Sequence, residues 1–176
     1  MCIQVAQKKD LAGIESLIRA AFPDGERETI TRLVGGIITA SSSPFVMPYL
    51  AEIEAKLSGF VAFTPVKPIE NTAIQCSILA PLAVHPDVQK MGVGTKLINH
   101  GKSVLIKNNV DVLLVYGDPK YYGRFGFHEE IARPFVPPFP LTYPFGWLGM
   151  ELQHPPLSRR TTKILCIEAL SQPDMW

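Results

Sequence analysis

Between Ala73 and Gly117 the chain passes through a long apolar stretch, a turn carrying two glycines, a stretch of helical period and a second apolar stretch, an order that few folds accept. "AIQCSILAPLAV", Ala73 to Val84, is apolar enough to be a central strand buried on both faces. After the turn, Leu97, Ile98, Gly101, Val104 and Leu105 line one helical face, and Gly101 lets that helix sit close to a sheet. "KNN", Lys107 to Asn109, supplies a C-terminal stop, and "DVLLVYG", Asp111 to Gly117, reads as a second buried strand. Strand, helix and strand make a βαβ unit with a parallel pair. The turn in "VQKMGVGTKL", Val88 to Leu97, then stands at a helix N-terminus beside the C-terminal end of a central strand, where backbone N–H groups converge on an anion.

The remaining periodicity builds outward from this unit. From Asp10 the positions Leu11, Ile14, Leu17, Ile18 and Phe22 follow helical spacing, with Asp10 as N-cap and Pro23 marking the end. A second helical run, Glu26 to Gly35, carries Ile30, Leu33 and Val34 on one side, and "TASSSP", Thr39 to Pro44, reads as a loop. "YLAEIE", Tyr49 to Glu54, and "LSGFVAFTPV", Leu57 to Val66, are separated by so few residues that an antiparallel hairpin is expected. Pro81 cannot donate a ladder hydrogen bond, which implies a bulge or a local loss of pairing, unless it is simply a proline tolerated near a strand end. "RPFVPPFPLTYPF", Arg133 to Phe145, is expected to be a packed surface loop rather than a peptide-docking motif. "GWLGMEL", Gly146 to Leu152, and "TTKILCIEAL", Thr161 to Leu170, read as closing strands. With no internal repeat and no linker, residues 1–176 are expected to form a single domain.

Composition removes several function classes. Seventeen Lys and Arg against 16 Asp and Glu give a net charge of +1, too little to hold a polyanionic backbone, so nucleic acid is not expected as a partner. Cys2, Cys76 and Cys166 are odd in number, widely spaced and without a CxxC pair, which argues against a disulfide framework and a zinc knuckle and for reduced thiols. His85, His100, His128 and His154 are too scattered to suggest a metal. The N-terminus has no basic segment followed by an apolar run, and no stretch approaches the roughly 18 apolar residues of a membrane span, so a cytoplasmic protein without a membrane partner is expected.

Three kinds of glycine turn compete for the anion. A Walker loop needs GxxxxGK followed by Ser or Thr, but no glycine stands five before Gly94, and Thr95 precedes Lys96. A dinucleotide fingerprint needs a small residue three after the second glycine, and Leu97 is there. The pattern Q/R-x-x-G-x-G/A is met in full by Gln89, Gly92 and Gly94. The stretch "LAPLAVHPDVQKMGVGTKLI" resembles the coenzyme A motif of the GNAT superfamily of acetyltransferases, and "DPKYYGRFGF", Asp118 to Phe127, resembles that family's F-Y-E-K-x-G-F segment in the place the fold requires. The longer run "GDPKYYGRFGF" looks most like a bacterial subgroup of predicted N-acetyltransferases, and the likeness covers about Ile3 to Gly126.

The resemblance implies an α/β (α+β) fold: a mixed, mostly antiparallel central sheet with a bulged, splayed parallel strand pair, flanked by helices. It implies that backbone groups of Gln89, Lys90, Met91, Gly92, Val93, Gly94 and Thr95 hold the pyrophosphate of acetyl-CoA, assisted by the helix dipole. Many relatives carry arginine where this chain has Met91, leaving Lys90 as the loop's cation. By the same resemblance Leu82 and Val84 supply main-chain contacts to the pantetheine arm, and the N–H near Leu82 stabilises the oxyanion, an effect worth about 3 kcal/mol in other acyl transfers.

Tyr122 aligns with the tyrosine that protonates the departing thiolate and contacts the coenzyme, with Tyr121 its competitor and a packing role for both the alternative. Cys76 lies on an apolar strand without a basic neighbour, and no G-x-S-x-G elbow is present, so direct transfer in a ternary complex is expected rather than a covalent intermediate. The strand before the turn lacks the glutamate that serves some relatives as base. Glu26, Glu28 and Glu52 are not separated by spacing, and His85 reads as a loop histidine. The implied reaction is acetyl transfer from acetyl-CoA to a primary amine, on a small metabolite or on a peptide or protein. The loops Phe22–Ser43 and Arg133–Phe145 would set the acceptor, and no metal is required. A homodimer is compatible with this reading. The rival reading is an acyl-CoA-binding or sensing module with the same fold and no turnover.

Overall fold

The structure, a computed structural model, describes residues 1–40, 46–153 and 161–176. Among the described residues eight strands are hydrogen-bonded in the order β1-β2-β3-β4-β5-β7, with β8 joining β3 and β6. They are β1 (Cys2–Val5), β2 (Met47–Ile53), β3 (Lys56–Pro68), β4 (Cys76–Val84), β5 (Val112–Tyr116), β6 (Phe135–Val136), β7 (Trp147–Glu151) and β8 (Thr162–Leu165). The helices are α1 (Leu11–Ala21), α2 (Asp24–Ala40), α3 (Val93–Lys107), α4 (Pro119–Tyr122) and α5 (Glu129–Ala132). The chain falls into two compact units, one of Met1–Phe63 with Ala80–Lys102 and one of Thr64–Leu79 with Ser103–Trp176.

In the first unit β1, β2 and β3 pair antiparallel. Glu54 and Ala55 join β2 to β3 with φ of 50° and 60°, the left-handed pair that a tight hairpin needs, and a register shift falls between Ala51 and Glu52. The expected hairpin is therefore present, two residues longer at each outer end, with Glu54 in the turn and not in the strand. Helix α1 buries Ile14, Leu17 and Ile18, while α2 buries Leu33, Val34, Ile37 and Ile38. Asp10 precedes α1 as expected, but its carboxylate accepts the Gln7 N–H at 2.8 Å instead of capping the helix amides. The second helix extends from Asp24 to Ala40, so Thr39 and Ala40, read as loop, are helical; the rest of that loop, 41–44, lies outside the described residues.

Close approach of α3 to the sheet is enforced at Gly101. A Cβ there would stand 2.0 Å from Phe63 Cζ, and both Phe63 and the neighbouring Leu97 and Ile98 are fully buried. Replacing Gly101 by alanine should therefore force the ring or the helix to move and cost about 1–3 kcal/mol, read as a lowered urea midpoint with unchanged slope. A loss below about 0.5 kcal/mol would show that the ring moves aside freely.

In the second unit β4 runs parallel to β5 from Cys76↔Val112 to Leu79↔Val115, as the βαβ reading requires, and β7 lies antiparallel on the other side of β5. The stretch Arg133–Phe145 is not only loop: Phe135 and Val136 form β6, parallel to β8, and Phe135 is buried. Both expected closing strands are present as β7 and β8, the latter shorter because a 3-10 turn follows at Glu168–Leu170. Glu70 Oε2 accepts the Thr162 hydroxyl at 2.7 Å and the Lys163 N–H at 3.0 Å, tying β8 to the end of β3. The Thr162 hydroxyl chiefly holds the Glu70 carboxyl below the usual carboxylate range. A depressed folded-state pKa stabilises above the unfolded value and is lost as pH falls through the folded one. Glu70→Gln should accordingly lower stability at neutral pH, where the carboxylate contributes, and flatten the acid limb of a stability-against-pH curve below about pH 4.5, where the two proteins converge. An unchanged acid limb would exclude that linkage.

Candidate functional site

The anion turn is built from β4, a short 3-10 turn and the start of α3. His85 caps the 3-10 turn Pro86–Val88, its Nδ1 accepting the Asp87 N–H at 3.3 Å, and the His85 N–H donates to the Ser58 carbonyl at 2.9 Å. This occupation explains His85 as a turn-building residue. Gln89 follows in extended conformation, and its side-chain Nε2 donates back to the Val84 carbonyl at 3.1 Å. A glutamine at this position thus ties the turn to the end of the strand.

Two residues of the turn are left-handed, Lys90 at φ 63° and Gly92 at φ 83°. For Gly92 that conformation is what a side chain would resist, although nothing stands within 4 Å of the site of its Cβ. Alternation of handedness at successive residues turns consecutive N–H groups toward one concavity, a geometry suited to phosphate oxygens. The first α-helical bond of α3 is Lys96 N–H to Gly92 carbonyl at 3.0 Å, so the amides of Val93, Gly94 and Thr95 come before any intrahelical acceptor. The 15-residue helix adds roughly half a positive charge at that end, and its first turn carries no acidic residue to neutralise it. Val93 is buried and anchors the turn, whereas Lys90, Met91 and Thr95 are exposed, with Met91 at 66% offering no cation.

Gly59, which the sequence reading passed over, also positions this turn. A Cβ on it would stand 2.9 Å from Val93 Cγ1 and Leu97 Cδ1, so the first turn of α3 rests directly on β3. A glycine inside an otherwise strand-like run was the available signal.

Leu82 and Val84 are half-buried on the last residues of β4. The pairing with β5 reaches Leu79, and a cis peptide bond joins Ala80 to Pro81. Proline at this point lies within β4, not at its end, since the strand continues to Val84.

Tyr122 is set by a local structure of its own. Asp118 Oδ1 accepts the Lys120 N–H at 2.9 Å, Pro119 opens α4, and the Asp118 carbonyl accepts the N–H groups of Tyr121 and Tyr122 at 3.0 Å. The two tyrosines then diverge. The Tyr122 ring lies over Gly117, where a Cβ would stand 2.4 Å from its Cε2, and meets the buried Phe127 edge-on at 5.7 Å. Tyr121 instead sits beneath the Arg124 guanidinium at 4.6 Å. Burial pushes the Tyr122 hydroxyl well above an ordinary phenol, with Tyr121 adding to the shift, while Arg124 partly offsets the smaller rise at Tyr121.

Cys76 is buried, and desolvation assisted by the Asp111 charge pushes its thiol up to about 12, the reverse of what a nucleophile needs. Glu26 and Glu28 are exposed on α2 and Glu52 is half-buried on β2. His100 packs edge-on against Tyr49 at 4.6 Å, and His128 is exposed; His154 lies outside the described residues. Among the described residues no group of three His, Cys, Asp or Glu side chains gathers as metal ligands, and no helix is long and apolar enough to cross a membrane.

The family model described as an acetyltransferase (GNAT) domain matches residues 46–129, which include the anion turn and the tyrosine segment. The chain is 29% identical over 158 residues to the uncharacterized N-acetyltransferase YjhQ of Escherichia coli K12, covering 88% of this chain and 86% of that one. It shares its fold with the crystal structure of a GNAT family N-acetyltransferase, YhbS of Escherichia coli, in complex with CoA, at a TM-score of 0.80 and 24% identity over 97% of this chain and 92% of that one. A GNAT family acetyltransferase from Brucella melitensis in complex with acetyl-CoA matches at a TM-score of 0.71 and 20% identity, over 96% of this chain and 97% of that one. With YhbS of Escherichia coli K12 the identity is 30% over 129 residues, 72% of this chain and 73% of that one, and on this similarity the chain belongs to the GNAT family of acetyltransferases.

Proposed function

We propose that this protein transfers an acetyl group from acetyl-CoA to a primary amine by direct attack in a ternary complex. The observation that carries the reading is the turn from Gln89 to Thr95: left-handed residues at Lys90 and Gly92, a side-chain tie from Gln89 to Val84, and amides at the start of α3 that precede the helix's first intrahelical acceptor. Together they suit a pyrophosphate, and the two solved structures of like fold above are complexes with CoA and acetyl-CoA, which supports the reading. In the proposed reaction the backbone N–H near Leu82 polarises the thioester carbonyl, and main-chain groups of Leu82 and Val84 align the pantetheine arm. The neutral amine attacks the carbonyl carbon, the C–S bond breaks, and Tyr122 delivers a proton to the thiolate. Burial raises its pKa, so Tyr122 carries its proton at neutral pH and can present the O–H to the thiolate as the C–S bond breaks. The high pKa and burial of Cys76 favour this direct route over an acyl-enzyme.

The test is isothermal titration with coenzyme A alongside a panel of amines and peptides scored for thiol release from acetyl-CoA. Micromolar coenzyme binding with release dependent on one class of amine is expected. Binding without release across the panel would overturn the transferase reading in favour of a sensor.

A further inference from the structure

Resting on the transferase reading above, we propose that Tyr143 and Phe145 form the acceptor-recognition surface and select a primary amine borne on an aromatic or apolar body, in preference to a polycationic amine. These two rings are 60% and 62% exposed, among the largest exposures of any apolar side chain described, and they meet each other at 5.8 Å. Their backbone is nonetheless held firmly. The Tyr143 N–H donates to the Tyr116 hydroxyl at 2.7 Å, the Gly146 N–H to the Tyr143 carbonyl at 2.8 Å, and the Gly117 N–H to the Gly146 carbonyl at 2.9 Å. The adjoining Thr142 N–H donates to the Trp176 carbonyl at 2.9 Å. A fixed turn that presents two aromatic rings to water keeps apolar surface where burial would be favourable, which marks a recognition surface.

The location ties this surface to the proposed chemistry. Gly117 both bonds to the aromatic turn and lies under the Tyr122 ring, so one residue at the end of β5 anchors both. Charge then favours one class of acceptor. The segment that carries the rings, Pro134 to Met150, contains no Asp, Glu, Lys, Arg or His, Asp118, at the β5 end, is engaged in capping α4, and Asp174, near the Trp176 that bonds Thr142, has an interaction of its own. A polyamine would need carboxylates along its length, whereas an arylalkyl amine needs ring faces for its body and a single polar end for its nitrogen.

The experiment compares wild type with the Tyr143→Ser/Phe145→Ser double variant, using ligand-observed NMR titration of 2-phenylethylamine and spermidine in the presence of CoA, with thiol release from acetyl-CoA measured in parallel. Both side chains are exposed, and unchanged thermal unfolding confirms the variant's fold. Wild type should bind 2-phenylethylamine about tenfold more tightly than spermidine, and the double variant should lose about tenfold for 2-phenylethylamine alone, with Tyr143→Phe restoring most of it. Equal affinity for the two amines, or an unchanged double variant, overturns the proposal. Aromatic binding that the variant loses, without any thiol release by wild type, supports the surface and rejects the transferase reading. Release of thiol with undiminished variant affinity does the reverse.

Discussion

Tyr122→Phe should lower kcat about 100-fold or more while leaving coenzyme affinity nearly unchanged, if Tyr122 protonates the leaving thiolate as proposed. The substitution removes one hydroxyl and keeps the ring over Gly117 and against Phe127, so packing is preserved. Tyr121→Phe is the internal control, because Tyr121 is the neighbour that packs under Arg124. The pH profile adds a second readout. Burial holds the Tyr122 pKa above that of a free phenol, about 10, so loss of its proton should contribute no alkaline limb to kcat below that pH. Equal effects of the two substitutions, or full turnover by Tyr122→Phe when chemistry limits the rate, would remove the acid assignment.

Trp176→Ala should destabilise the protein by about 3–5 kcal/mol. Only 5% of Trp176 is exposed; its ring stacks on Tyr116 at 6.2 Å and meets Trp147 edge-on at 5.7 Å, and its Nε1 donates to the Leu170 carbonyl at 2.9 Å. Removing the indole leaves a cavity between two aromatic rings and an unsatisfied carbonyl, two costs that add. Because Tyr116 receives the Tyr143 N–H, the turn carrying Tyr143 and Phe145 should loosen as well. Chemical unfolding monitored by far-ultraviolet circular dichroism gives the number, and a loss below about 1 kcal/mol would show that the cluster is not part of the core.

Where the sequence speaks through periodicity, its reading and the structure coincide. Leu97, Ile98, Gly101 and Leu105 are buried along α3, and the parallel β4–β5 pair follows from the crossover length alone. The misses have physical causes. Strand β1, Cys2–Val5, is short, mostly exposed and without alternation, so only its pairing with β2 makes it a strand. Gly35 and Gly36 resemble a helix stop, yet α2 continues because Ile37 and Ile38 bury beyond them, which outweighs about 1 kcal/mol of intrinsic cost per glycine. The cap at Asp10 lost its expected partner to the Gln7 amide, a local competitor that no helical pattern reveals.

At the site, the glycine spacing exposed the turn, but the tie from Gln89 to Val84 and the left-handed Lys90 leave no mark in composition. The adjacent tyrosines differ in the sequence only by the family resemblance; in the structure their partners, Gly117 and Phe127 for one and Arg124 for the other, separate them. The Tyr116, Tyr143 and Trp176 cluster joins residues far apart in the chain and was invisible for that reason.

The central claim is that the turn from Gln89 to Thr95 holds the pyrophosphate of acetyl-CoA, and titration calorimetry of wild type and Gly94→Val tests it most directly. Gly94 is the second residue of α3 and is absent from the left-handed positions, so valine is compatible with its backbone while its branched Cβ crowds the amides that would meet the phosphates. Wild type should bind acetyl-CoA, and Gly94→Val should bind it at least about tenfold more weakly, a difference of about 1.4 kcal/mol, with circular dichroism showing the fold retained. Absence of binding by wild type, or equal affinity in a folded Gly94→Val protein, would contradict the assignment of the turn.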